Sequence, residues 1–228
     1  SFIMEKGTVA ADTLNKNPIN DISQRKTELR IDHKPEADLV DRNTALQRII
    51  QHTPEDNSIL IATTGFTGRE LFAIDDRKNQ LYMVGSMGCA SSLGLGIALA
   101  RPDLNIIIID GDGAGLMRMG NFATLGSYAG NNLIHILLDN EVHDSTGAQA
   151  TVTANINFAG IAEACGYSVS LSGNQLNLID DLFSLKGHAG PVFGHLKIRS
   201  GTIENLPRPD VTPHQVLTRL MKHINSSF

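Results

Sequence analysis

The chain is short of the residues that build several common kinds of protein. Its 228 residues include two cysteines, Cys89 and Cys165, no tryptophan and three tyrosines. Both cysteines sit in apolar, small-residue segments that read as buried helix, so a reducing compartment is expected rather than a disulfide framework. Two scattered thiols also cannot ligate an iron–sulfur cluster. No run approaches the roughly 18 apolar residues of a membrane span, and the N-terminus lacks the layout of a signal peptide; a cytoplasmic protein with no membrane partner is the expectation. Positive charge is scarce as well. Nineteen Lys and Arg against 24 Asp and Glu leave a net charge of −5, and no basic stripe interleaved with aromatics appears, which argues against a nucleic-acid partner.

What is present is the composition of one α/β core with an appendage: 41% hydrophobic and 19% charged, both ordinary for a globular domain. Residues 1–9, "SFIMEKGTV", read as a short strand without visible partners, the tail of an upstream unit. Residues 10–40 are polar, charged and weakly periodic, which is the composition of a linker. From Asp41 onward helix-like segments alternate with β-branched runs, predicting a three-layer, doubly wound, mostly parallel sheet with helices on both faces. The six expected strands are 58–64, 81–85, 105–110, 133–139, 167–171 and 191–198, most of them apolar on both faces as buried parallel strands are. Helices are expected around 67–74, 89–100, 115–129, 157–165 and 175–186. A last helix is announced by Thr212 as N-cap, Pro213 at its first position and Gln215 completing a capping box.

In open α/β sheets ligands bind beyond the carboxyl ends of the strands, so the loops after Thr64, Val84, Asp110 and Asp139 matter most. The third of these is the sharpest: "NIIIIDGDGAGLMRMG" ends a greasy strand with an aspartate wedged between two glycines. A dinucleotide turn, G-x-G-x-x-G, would need glycine at position 116, which is Leu116, so a nicotinamide enzyme fails on spacing. An aspartate also repels a diphosphate unless a divalent cation stands between them. Asn140 stands 28 positions after Asp112, one helix and one strand later, where its amide oxygen and the Val142 carbonyl complement Asp112 around a magnesium ion. Gly111 and Gly113 then allow a tight turn and close backbone approach, with Ala114 in the following helix N-terminus facing phosphate. Taken alone, Gly-Asp-Gly is also an ordinary strand-to-helix turn with a capping aspartate.

The stretch from "GDGAGLMRMG" to "LLDN" resembles the thiamine-diphosphate motif, in which GDG is followed at such a spacing by asparagine. The resemblance implies Asp112, Asn140 and the Val142 carbonyl as magnesium ligands and thiamine diphosphate with Mg2+ as cofactors. It implies a second feature too, a bulky apolar residue 25 positions before the aspartate, which is Met87, wedged between the cofactor's two rings. Gly85 would offer its carbonyl to the aminopyrimidine, with Ser86 beside it. By itself Met87 reads as core filler. "IATTGFTGREL" is similar to a phosphate-side segment of phosphonopyruvate decarboxylases, departing from it at Gly68, and would bring Thr64, Gly65 and Thr67 to the cofactor. "VHDSTGAQATV" resembles the segment flanking the asparagine in phosphonopyruvate and sulfopyruvate decarboxylases, and "MEKGTV" resembles the end of their pyrimidine-binding domain.

The resemblance therefore implies a 2-oxo acid decarboxylase, closest to those acting on phosphonopyruvate, with residues 41–228 as the diphosphate-binding domain. His143 and Asp144 would lie beside the thiazolium ring, where an imidazole could handle the proton that replaces carboxylate; a structural His–Asp pair or a turn cap is the alternative. Arg69 and Lys6 are candidates for the substrate's phosphonate, or simply solvated charges. In this family a separate pyrimidine-binding domain or subunit supplies the glutamate that starts catalysis, and sites form between chains, so a homo-oligomer and an incomplete site in this chain are expected. The alternatives are the thiamine-binding beta subunit of a sulfopyruvate decarboxylase and a non-catalytic cofactor-binding module.

Overall fold

The computed structural model describes residues 22–35, 38–185 and 187–226; the expected tail 1–9, with Lys6, and residues 10–21, 36 and 37 of the expected linker lie outside them. A first strand, β1 (Glu28–Asp32), precedes helix α1 (Arg42–Gln51), capped by the Asp41 carboxylate, which accepts from the Thr44 N–H at 2.7 Å. Next come β2 (Ser58–Ala62), α2 (Phe66–Ile74), β3 (Gln80–Tyr82), α3 (Ala90–Ala100) and β4 (Asn105–Gly111). They are followed by α4 (Asp112–Met117), α5 (Asn121–Tyr128) and β5 (Leu133–Asp139). A two-stranded antiparallel hairpin, β6 (Val142–His143) and β7 (Gln149–Ala150), leads to α6 (Phe158–Ala164), β8 (Val169–Gly173), α7 (Asn177–Ser184), β9 (Val192–Lys197) and α8 (Pro213–Ser226).

Seven strands form one parallel sheet in the order β1-β8-β9-β5-β4-β2-β3. The central strands alternate strictly between its faces. Ile107 and Ile109 of β4 join Leu60, Ala62, Ile136 and Leu138 in a core under α1, α2 and α7, whereas Ile106 and Ile108 join Ile59, Ile61 and Leu133 under α3, α5 and α6. Helix α8 closes the β3 side with a foot in each core, Val216 in one and Leu220 and Ile224 in the other. Its capping box is formed as expected, with the Thr212 N–H donating to Gln215 Oε1 at 2.8 Å and the Gln215 N–H to Thr212 Oγ1 at 3.3 Å.

Three expectations need correction. The sheet has seven strands rather than six, because Glu28–Asp32, inside the expected linker, pairs with Val169–Gly173. Its polar side chains concealed it, since an edge strand keeps one face and one rim in water and carries little apolar pattern. The chain just before it is also docked, with Arg25 donating to the Gly126 and Gly166 carbonyls. The helix expected over 115–129 is two helices, beginning earlier at Asp112 and broken where Arg118 leaves helical geometry at φ −127° and ψ 37°.

Strands β2 and β4 are neighbours, yet the chain leaves β2 into α2 on one face and leaves β4 into α4 and α5 on the other. The crevice between their carboxyl ends is the switch point of the sheet, where such folds place ligands. How tightly the layers fit is testable away from it. A methyl group on Gly126 would run into the carbonyl oxygen of Cys165 across the α5–α6 contact, while one on Gly120 would meet nothing within 4 Å. Gly126→Ala should cost about 1–3 kcal/mol or more through overpacking, and Gly120→Ala should be close to neutral. Urea unfolding midpoints at unchanged slope report both.

Candidate active site

The cavity at this switch point is built from three strand exits. From β2 come Thr63, Thr64, Gly65, Phe66 and Thr67; from β4 come Gly111, Asp112, Gly113 and Ala114; from β5 come Leu138, Asn140, Val142, His143, Asp144 and Ser145; Arg42 and Met87 complete the lining. Each exit is shaped by local backbone chemistry. Gly65, before the first turn of α2, has φ +99°, a conformation that glycine adopts without strain. At Gly113 a Cβ would lie 2.5 Å from Cε1 of His143 and 2.7 Å from Cε of Met87, so the bare backbone is what lets those two side chains converge on the start of α4. After β5 the chain turns through Glu141 at φ +63°, which sends Val142 and His143 back across the cavity as β6.

Asp112 is 4% exposed. Burial pushes its carboxyl above the ordinary range, partly opposed by the Thr151 hydroxyl, which donates to Oδ2 at 2.8 Å. Asn140 donates its amide to Asp144 Oδ2 at 2.5 Å, and its Oδ1 accepts from the Val142 N–H at 3.5 Å, with a second lone pair for a ligand. Asp144 also accepts from Arg42 Nη2 at 2.8 Å and from the Gly201 N–H at 3.0 Å. Arg42 is 6% exposed and reaches Glu70 Oε1 at 2.9 Å through Nη1, and Thr202 donates to the same oxygen at 2.7 Å. Asp144 is thus a junction that holds α1, the β6 loop and the segment after β9 together.

A second buried carboxylate, Asp139, lies directly before Asn140. Burial alone would raise it, but His195 at 2.8 Å and Lys197 at 2.8 Å outweigh that and hold it well below the usual carboxylate range. Because Asp139 is ionised and only accepts, His195 donates to it from Nε2; on its other side the Ser172 hydroxyl lies 3.1 Å from His195 Nδ1 and 2.9 Å from His33 Nε2. The contacts link β1's flank through β8 and β9 to β5.

Most of the expected site residues come together here: Thr64, Gly65, Thr67, Met87, Gly111, Asp112, Gly113, Ala114, Asn140, Val142, His143 and Asp144 all line the cavity. Gly85 and Ser86 do not; both are exposed in the loop after β3, with φ of +69° and +49°. Arg69 is also outside the lining, spending its donors on the Leu206 and Pro207 carbonyls and lying over the Phe66 ring at 5.4 Å. Sequence reasoning missed Arg42, whose carboxylate partner Asp144 is 102 positions away, and Thr151, whose hydroxyl on Asp112 spans 39 positions. Neither separation leaves a local pattern.

The donor set fits a hard cation: a carboxylate, an amide oxygen and a backbone carbonyl, all oxygen. Among the described residues no group of three or more His, Cys, Asp and Glu is placed to hold a metal. Thr63 Oγ1, buried in the lining, has no protein partner, as a polar atom awaiting a ligand or water would. The site defines a class, and sequence similarity agrees with it. Residues 66–193 match the family described as thiamine pyrophosphate enzyme, C-terminal TPP binding domain, and the chain belongs to that family.

Among its relatives, phosphonopyruvate decarboxylase of Streptomyces viridochromogenes is 38% identical over 226 residues, covering 99% of this chain and 56% of that protein. The Streptomyces hygroscopicus phosphonopyruvate decarboxylase is 43% identical over 179 residues, 78% of this chain and 44% of that one. The beta subunit of sulfopyruvate decarboxylase from Methanothermobacter thermautotrophicus is 33% identical over 189 residues, 83% of this chain and 98% of that subunit. The chain therefore spans about half the length of the phosphonopyruvate decarboxylases it matches. A solved structure from Mycobacterium smegmatis, described as a thiamin diphosphate-dependent enzyme, shares the fold with a TM-score of 0.58 at 15% identity, over 71% of this chain and 32% of that one.

The Asp139 network gives a prediction with a definite sign. Its folded pKa is depressed, so the ionised carboxylate stabilises the fold fully above the unfolded value of about 3.9, and that contribution is lost as pH falls below it toward the lower folded value. Asp139→Asn should cost about 3–5 kcal/mol at pH 7, as broken buried ion pairs do, with the gap to wild type narrowing at pH 3. Guanidinium unfolding at the two pH values checks this.

Proposed function

We propose that this chain is the diphosphate-binding half of a thiamine diphosphate- and Mg2+-dependent decarboxylase converting phosphonopyruvate to phosphonoacetaldehyde and CO2. The observation that carries the reading is that buried Asp112, Asn140 and Val142 line one cavity at adjacent strand ends. When bound, thiamine diphosphate supplies a nucleophilic carbon and an electron sink for loss of CO2. The chain's own residues would do the holding. Asp112, Asn140 and Val142 would grip the cation, while Thr64, Gly65, Thr67, Gly111, Gly113 and Ala114 would surround the diphosphate with hydroxyls and backbone N–H groups at two helix starts.

Met87 and His143, brought together over Gly113, would face the reacting end, Met87 as an apolar wedge and His143 as the group that holds or delivers a proton there. Gly85 and Ser86 would need the exposed β3 loop to move in, or a partner to press it in. Oδ2 of Asp144, which accepts from Arg42, Asn140 and Gly201, would set the Asn140 amide, while the carboxylate's other oxygen would keep the role expected beside the thiazolium ring.

The catalytic glutamate would come from a pyrimidine-binding domain or subunit, in a homo-oligomer or a two-subunit enzyme. Among the described residues no glutamate lines the cavity; Glu70 is tied to Arg42 and Glu141 to Lys197. One observation favours a second reading, the beta subunit of a sulfopyruvate decarboxylase, because the Methanothermobacter subunit matches this chain over 98% of its own length. The higher identities, 38% and 43%, support phosphonopyruvate.

The protein with its pyrimidine-binding half, supplied with Mg2+ and thiamine diphosphate, should be assayed in parallel on phosphonopyruvate, sulfopyruvate and pyruvate. Phosphonopyruvate should give the highest kcat/KM; preference for sulfopyruvate would establish the second reading, and no turnover of any 2-oxo acid would leave a cofactor-binding module. In the same enzyme Met87→Ala should lower kcat at least tenfold while changing thiamine diphosphate affinity little. A loss of stability at normal kcat would make Met87 core filler.

A further inference from the structure

Asp112 and Asp139 lie at the ends of neighbouring strands and are joined by a short chain of hydroxyls. Thr151 Oγ1 donates to Asp112 Oδ2 at 2.8 Å, Thr151 Oγ1 and Thr153 Oγ1 are 2.9 Å apart, and Thr153 Oγ1 donates to Asp139 Oδ1 at 2.9 Å. These are three contacts, and each threonine hydroxyl has one proton. With both carboxylates ionised, two protons serve three contacts, so one contact is always without a proton.

The partners decide which. Asp139 has donors to spare: the Glu141 N–H at 3.0 Å on Oδ1, and His195 and Lys197, each at 2.8 Å, on Oδ2. Asp112 has far fewer, since Thr151 is the side chain that donates to it. Thr153 can therefore turn its proton to Thr151 while Asp139 keeps three donors, and Thr151's own proton is then committed to Asp112 Oδ2. The arrangement is anchored, because Thr153 is 1% exposed, Asp139 is fully buried and His195 is 3% exposed.

We infer that Thr151, with Thr153 behind it, is a positioning residue for the cation: it covers Oδ2 of Asp112, fixes the plane of the carboxylate, and leaves Oδ1 as the oxygen presented to the metal. The inference rests on the reading of Asp112 as a cation ligand, and it assigns the surplus donors on Asp139 a purpose beyond stability. Groups that orient a metal's ligands commonly change its affinity about 10- to 100-fold when lost.

The test is the Mg2+ dependence of thiamine diphosphate binding, followed by calorimetry in the complete protein, with the thermal midpoint of the metal-free protein measured alongside. Thr151→Val keeps the shape and removes the hydroxyl; it should raise the Mg2+ concentration for half-saturation by about 10-fold or more, with the metal-free midpoint little changed. Thr151→Ala should do the same should the valine variant fold poorly, and Thr151→Ser should restore affinity to within about threefold. Thr153→Val should weaken Mg2+ dependence less, and should add nothing once Thr151 is valine, which a merely structural residue would not do. Asp112→Ala is the separating control. Wild-type Mg2+ dependence in Thr151→Val and Thr151→Ala, with Asp112→Ala defective, would overturn this inference alone; unchanged dependence in Asp112→Ala would overturn the cation reading beneath it.

Discussion

Asp112 is a carboxylate at 4% exposure at the exit of a strand whose preceding isoleucines are fully buried, and the surrounding structure answers to that placement. An ion taken out of water costs several kcal/mol unless charge and hydrogen bonds compensate. Here the protein supplies only part of that compensation: a threonine hydroxyl and the first turn of α4, with the neighbouring Asp139 charge working against it. Beside Asp112 the cavity lining holds His143 and Met87 as well as the oxygen-bearing Asn140, Thr63, Thr64 and Thr67. Arg42, the cation in the lining, is already committed to Glu70 and Asp144. A hard divalent ion with an anionic ligand on its far side would satisfy the carboxylate, as proposed above.

The sheet makes that site possible at small cost. Because β2 and β4 send their helices to opposite faces, a crevice opens between them without any strand being broken, and the first residues of α2 and α4 line it. The apolar layers are then packed by aliphatic and aromatic side chains, while the residues of the candidate site sit at strand exits. Several ionisable groups that enter the interior are paired: Asp139 with His195 and Lys197, Asp110 with His135, Arg42 with Glu70. These pairs lie at or next to the strand ends and give the exits a fixed geometry.

The parts legible in the sequence were those with a local period or a local motif. The Ile106–Ile109 run, the Thr212 capping box and the spacing from Asp112 to Asn140 all carry their meaning within one or two elements, and β2, β4, β5 and α8 stand where that pattern put them. The strand Glu28–Asp32 was hidden because an edge strand needs little apolar pattern. Arg42 and Thr151 were hidden for another reason, since each acts through a partner that only the folded chain brings near. Asp144 shows both sides: the motif match puts it in the site, where it does line the cavity, while the partners of its Oδ2, Asn140, Arg42 and Gly201, include two that lie far away in the chain.

The central claim is that a divalent cation bridges Asp112 to the cofactor's diphosphate. Manganese in place of magnesium makes that bridge directly visible by pulsed EPR. With thiamine diphosphate bound, the account predicts a phosphorus-31 hyperfine coupling from the diphosphate together with a carbon-13 coupling from labelled aspartate on the same manganese ion. In Asp112→Ala the aspartate coupling should vanish, along with tight manganese binding. A phosphorus coupling with no aspartate carbon in the wild-type protein would show that the cation arrives with the cofactor but is not held by Asp112, and would contradict the account.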